Sequence, residues 1–104
     1  MMQNEAEILI YAPRIRDEND RLKIVSSAVA KIASKLKLRF QVASKKELAS
    51  IYVYFRDGNA EEIPLYSDWG KNGDESAVYY AIRNIMFALS FHPKYLFLKK
   101  ARLS

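Results

Sequence analysis

Cysteine is absent from this sequence, and histidine occurs once, at position 92. Without thiols there is no disulfide, no thiolate nucleophile and no Cys-ligated zinc, and one imidazole cannot build a His-cluster metal site. No metal and no cofactor is therefore expected. Glycine and proline are scarce, with three of each, and no stretch has the composition of a linker, a repeat or a low-complexity segment. The glycine spacings that cradle phosphates are missing, as is the GxSxG elbow of serine hydrolases. His92 has no local partner for acyl transfer, so no catalytic residue is nominated and a non-enzymatic role is the stronger expectation.

Long apolar runs are missing too. None approaches the roughly 18 residues of a membrane span, and MMQNEAEILI carries acids where a secretory signal would carry bases. A cytoplasmic protein without a membrane partner is expected. Half of the residues are hydrophobic, enough for one core, so residues 1–104 read as a single domain with frayed ends near 1–5 and 100–104.

What is present is unevenly distributed. The formal charge is +5, and from Arg21 to Lys46 there are eight basic residues and no acid. The acids gather in Asp17 to Asp20, Glu61–Glu62 and Asp74–Glu75. One part of the surface should therefore carry a positive field able to steer an anionic partner.

Hydrophobic period supplies the elements. Glu7 to Pro13 is a short apolar run ended by proline, the pattern of a buried strand. In DRLKIVSSAVAKIASKLK, residues Leu22, Val25, Ala28, Val29, Ile32, Ala33 and Leu36 line one helix face, with Asp17 or Asp20 as cap. LRFQVAS alternates as a half-buried strand. IYVYFRDGNAEEIPLYSD reads as two strands joined through Asp57-Gly58-Asn59, with Pro64 confining the second to a sheet edge. DESAVYYAIRNIMFALSF resumes helical spacing, with Val78, Ile82, Ile85 and Leu89 as its core stripe, and His92-Pro93 stops it. YLFLKKA is a last strand candidate.

Strand, helix, strand, hairpin, helix, strand is the order of an α+β two-layer sandwich of the ferredoxin-like kind. A thioredoxin-like arrangement is the alternative. There KKELAS would form a short second helix and the hairpin would precede the last helix, although that fold's redox motif is absent.

The loop SDWGKNGDES gathers two glycines, the only tryptophan and three carboxylates. It fails as a calcium loop, because Gly70 and Tyr79 stand where acidic ligands are needed. Turning glycines, an Asp74 helix cap and packing by Trp69 account for it. Glu61–Glu62 and Asp74–Glu75 are sequence neighbours and do not form a glycosidase-like acid pair. Arg14 and Arg16, just past the first strand, are anion-site candidates, with pairing to nearby acids as the simpler alternative.

The aromatic pattern carries more. In SIYVYFRD, Ile51, Val53 and Phe55 point one way and Tyr52, Tyr54 and Arg56 the other. Tyr11, Tyr66 and Tyr95 could extend that tyrosine face. With Lys23, Lys31, Lys35, Lys37 and Arg39 for phosphates, Tyr52 and Tyr54 could stack the bases of a nucleic acid. The helix from Asp74 onward also carries Tyr79, Tyr80, Met86, Phe87 and Phe91 outside its core stripe. A helix apolar on every side is buried on every side, and a domain this small cannot bury both faces alone. A homodimer through this helix or the tyrosine face is expected. A non-enzymatic binding, assembly or regulatory module is thus the first reading, nucleic-acid binding the second, and a small enzyme or anion sensor using Arg14 and Arg16 the third.

Overall fold

A computed structural model describes residues 6–13, 20–57, 61–68 and 73–92. In chain order these form β1 (Ala6–Ala12), α1 (Asp20–Leu36), β2 (Arg39–Ser44), β3 (Ile51–Asp57), β4 (Ile63–Asp68) and α2 (Glu75–Leu89). The strands make one mixed sheet in the order β2-β1-β3-β4.

β1 lies in the middle because it is apolar on both faces. Ile8, Ile10 and Ala12 are buried on one side, and Glu7 and Leu9, pointing the other way, are buried as well. β2 runs parallel to it, with Ile8 opposite Phe40 and Ile10 opposite Val42. β3 runs antiparallel on its other side, with Ile8 opposite Phe55 and Ile10 opposite Val53. Parallel neighbours need a crossover, and α1 supplies it.

The described residues therefore form a small α+β domain with a four-stranded mixed sheet and two helices. It departs from the ferredoxin-like order, which splits its strand-helix-strand unit, because here β2 sits directly beside β1. Periodicity reports which residues share a face, and it is silent on which strand lies next to which. The YLFLKKA strand candidate falls outside the described residues. KKELAS forms turns instead of the short helix of the thioredoxin-like alternative, with the Leu48 amide donating to the Lys45 carbonyl at 3.1 Å.

β4 is an edge strand, as its proline requires. A bulge between Val53 and Tyr54 shifts the register, so Pro64 lies opposite Tyr54 and Tyr66 opposite Val53. Leu65 is left between them and buried.

One core fills the space between the sheet and both helices. α1 contributes Leu22, Val25, Ala28, Val29, Ile32 and Ala33, as its spacing predicts. It ends where Lys37 turns left-handed at φ 58°. The Leu38 amide then donates to the Ala33 carbonyl at 2.8 Å, the bond that closes a Schellman end and starts β2. α2 begins at Asp74, whose side chain accepts from the Ala77 amide at 3.0 Å. Gly73 before it has φ +90°, and a Cβ there would lie 2.8 Å from the Ala77 Cβ, so glycine is required.

An ion pair ties these pieces together. Asp68, at the end of β4, has a side chain only 1% exposed. Arg21 near the start of α1 grips it with two nitrogens, Nε to Oδ2 at 2.9 Å and Nη2 to Oδ1 at 2.6 Å. The Tyr66 hydroxyl donates to Oδ1 at 2.6 Å, and Arg21 Nη1 donates to the Gly73 carbonyl at 2.6 Å. One guanidinium thus fixes the end of β4 and the approach to α2. Burial and the bond to Asp68 hold the Tyr66 phenol well above its ordinary range.

Removing Arg21 would strand a buried carboxylate. Arg21→Ala is expected to lower stability by about 3–5 kcal/mol. Asp68→Asn should cost less, because it removes the charge and keeps an acceptor for Tyr66. Urea unfolding of both variants checks this, and equal losses would contradict it.

Candidate functional site

The sheet and its core separate two groups of residues that the sequence nominates together. Lys23, Lys31 and Lys35 lie on the exposed side of α1, with Lys37 at its end. Tyr52, Tyr54 and Arg56 point away from Val53 and Phe55, onto the sheet face that carries no helix among the described residues. Of the basic candidates, Arg39 shares that face, through its register with Glu7. Arg14 and Arg16 lie outside the described residues, as do Trp69 and Tyr95.

On the helix-free face, Tyr11 joins the tyrosine strip. It lies opposite Tyr52, and its ring meets that of Tyr54 edge-on at 5.5 Å. The Lys45 ammonium sits 4.0 Å from the centre of the Tyr11 ring. Tyr66 does not join, because the β4 bulge turns it toward the core and Asp68.

The strip is not a free basic platform. Arg56 is paired with Glu7 and lies 4.0 Å from Glu62. Gln41 donates to Glu7 at 3.0 Å, and the Tyr11 hydroxyl donates to Glu62 at 2.9 Å. Two carboxylates therefore meet the one arginine of the strip and reduce what it can offer to a phosphate. Sequence reasoning missed this network because it depends on register. The signal available was a glutamate set inside the apolar run of β1.

Between the helices lies an open groove of about 590 Å³, lined in part by Ser27, Ser34, Lys35, Ser76, Tyr79 and Tyr80. Lys31 and Ser27 bond Glu75 across it and hold that carboxyl below its ordinary range. Lys35 stands 5.3 Å above the Tyr79 ring. Two of the candidate phosphate contacts are thus occupied within the chain, and Tyr79 is half-buried against the core.

The outer face of α2 is different in kind. Tyr80 is 56% exposed, Ile85 42%, Phe87 52% and Phe91 59%. Ala77, Ala81 and Ala88 lie exposed beside them, with Asn84 in their midst and Arg83 exposed at the border as the polar interruptions. Phe87 and Phe91 pack edge to face at 5.1 Å. Met86, expected on this outer face, is instead 4% exposed within the core, while Ile85, expected in the core stripe, looks outward. The reason is α1. Glu75 and Tyr79 both meet it, which rotates the helix so that Val78, Ile82 and Met86 form the inner stripe.

Among the described residues, no group of three or more His, Cys, Asp or Glu is placed to hold a metal ion. No helix there is long and apolar enough to cross a membrane.

The Tyr11 phenol is pushed up to about 12, by burial first and then by its bond to Glu62. A raised phenol contributes stability that is intact below its free value of about 10 and lost above it. The loss should be complete once pH has passed the folded value near 12. Glu62→Gln removes the negative charge that opposes ionisation of the phenol, so this alkaline loss should shrink. Chemical unfolding on either side of the free phenol's value, about 10, tests the difference; an unchanged loss would contradict it. No family model, no curated protein and no solved structure matches the chain.

Proposed function

We propose that this chain is a homodimeric assembly or regulatory module that acts by binding and not by catalysis, joined to its copy through the outer face of α2. The observation that carries this reading is the row Tyr80, Ile85, Phe87 and Phe91, all exposed, with three alanines among them and Arg83 as the one charge at its border. Half-exposed aromatics leave on the order of 100 Å² open each, and the whole face comes to about 500 Å² per copy. Contiguous apolar patches of this size mark interaction sites on soluble domains. Doubled across a twofold axis, the area reaches the roughly 1,000 Å² that a specific interface needs.

Two further expectations belong with this reading. The parallel pairing of β2 directly beside β1 supports a thioredoxin-like frame over a ferredoxin-like one, although the connector between β2 and β3 makes turns where that frame would hold a helix. A cytoplasmic setting fits a chain without cysteine. Nucleic-acid binding has weaker support, because its phosphate and base contacts divide between opposite layers and Lys31, Lys35 and Arg56 already have partners.

Phe87 lies outside the core, so Phe87→Glu should fold as the unmodified chain does while setting two like charges into the contact. Light scattering should give twice the chain mass for the unmodified protein and one chain mass for the variant. Circular dichroism should be unchanged between them. An unmodified chain that stays monomeric at high concentration would overturn the proposal.

A further inference from the structure

The two edges of the sheet are built differently. β4 guards its edge with Pro64, which has no amide hydrogen to offer, and with the bulge that breaks its register to β3. β2 holds the other edge with Arg39–Ser44, a strand without proline whose pairing to β1 runs unbroken. Among the described residues no strand lies beyond it.

One bond fixes which groups this edge offers. The Lys45 amide donates to the Ala12 carbonyl at 2.8 Å, so the backbone of Lys45 turns toward β1. Backbone direction alternates along a strand, so Arg39, Gln41 and Ala43 turn inward as well, and Phe40, Val42 and Ser44 direct their amides and carbonyls outward. The side chains of Phe40 and Val42 lie on the helix side of the sheet, opposite Ile8 and Ile10. Phe40 is 38% exposed and Val42 half-buried. A further strand would cover both and extend the apolar layer.

The charges around this edge are of one sign. Lys37 precedes the strand, Arg39 projects on its helix-free side, and Lys45 and Lys46 follow it, all exposed. Lys37, Arg39 and Lys46 enter no ion pair among the described residues. Glu7, opposite Arg39, is taken by Arg56 and Gln41. Glu47 is the one acid between positions 37 and 47.

We infer that the β2 edge receives an extended acidic segment of another protein, added to the sheet as a further strand. Its backbone bonds the outward groups of Phe40, Val42 and Ser44, which supplies affinity. Its side chains alternate, apolar ones lying over Phe40 and Val42 and acidic ones meeting Arg39 on the opposite face. Six residues span about 20 Å, so the acids at its ends reach Lys37, Lys45 and Lys46. A second copy is the wrong occupant, because laying β2 antiparallel on itself sets Lys37 and Arg39 of one chain toward Lys45 and Lys46 of the other. This edge is separate from the outer face of α2, so the inference does not depend on the dimer.

The probe is a blocked peptide of about seven residues, alternating valine and glutamate, titrated into the isotope-labelled full chain. Amide exchange read by nuclear magnetic resonance should show protection of Phe40, Val42 and Ser44, with β4 unchanged. Replacing the glutamates with lysine should weaken binding at least about tenfold. Arg39→Gln alters only an exposed side chain and should weaken the acidic peptide about two- to fivefold. A strand turns only alternate amides toward its neighbour, so methylating the valine amides or the glutamate amides should abolish binding in one case and spare it in the other. Phe87→Glu should bind the peptide as the unmodified chain does.

Equal binding of the lysine peptide, equal effects of the two methylation patterns, or no protection at about millimolar peptide would each overturn the inference. So would protection of the same three amides that needs no peptide and grows with chain concentration, since a second copy would then hold the edge. None of these results decides whether α2 forms the proposed dimer.

Discussion

The arrangement depends on one constraint: both helices must share a single face of a four-stranded sheet. Ile8, Ile10, Val53 and Phe55 supply that face, and α1 and α2 close it together. α1 satisfies the constraint with one apolar stripe and a lysine-rich outer side. α2 has apolar groups nearly all round, so closing the core with Val78, Ile82 and Met86 leaves a second apolar surface facing water. The excess follows from the sequence of α2, and where it points follows from the contact with α1.

The polar groups inside serve the same assembly. Asp68 is buried at the seam where β4 leads toward α2, and Arg21 reaches from α1 to neutralise it. Buried ion pairs contribute little net stability against an apolar alternative, whereas removing one partner is costly. Here the pair fixes where α1 starts relative to the approach to α2, through the Gly73 carbonyl. On the other sheet face, Gln41, Glu7, Arg56, Glu62 and Tyr11 form a chain of bonds and charges across neighbouring strands. That face is polar and internally satisfied, whereas the outer side of α2 is apolar and open.

Much of this was legible beforehand. The α1 stripe, the Asp74 cap and the edge position of Pro64 follow from spacing and local chemistry. Strand order did not, because alternation along β1 and β3 cannot say which strand lies between which. Asp68 looked like a loop residue, since its partner Arg21 lies 47 positions away. Tyr66 was assigned to the tyrosine strip by parity, and a bulge, which parity cannot reveal, moved it. On α2 the apolar surplus was visible, but a helix apolar on every side gives no phase. Ile85 and Met86 consequently exchanged places between the expected core and the expected surface.

The most direct test of a second copy covering α2 is nuclear magnetic resonance on a mixture of isotope-labelled and unlabelled chains, filtered for contacts between molecules. The expected result is a set of cross-peaks from the Phe87 and Phe91 rings of one chain to α2 of the other. Rings that show contacts only within their own chain, at concentrations where the sample scatters as a dimer, would contradict it.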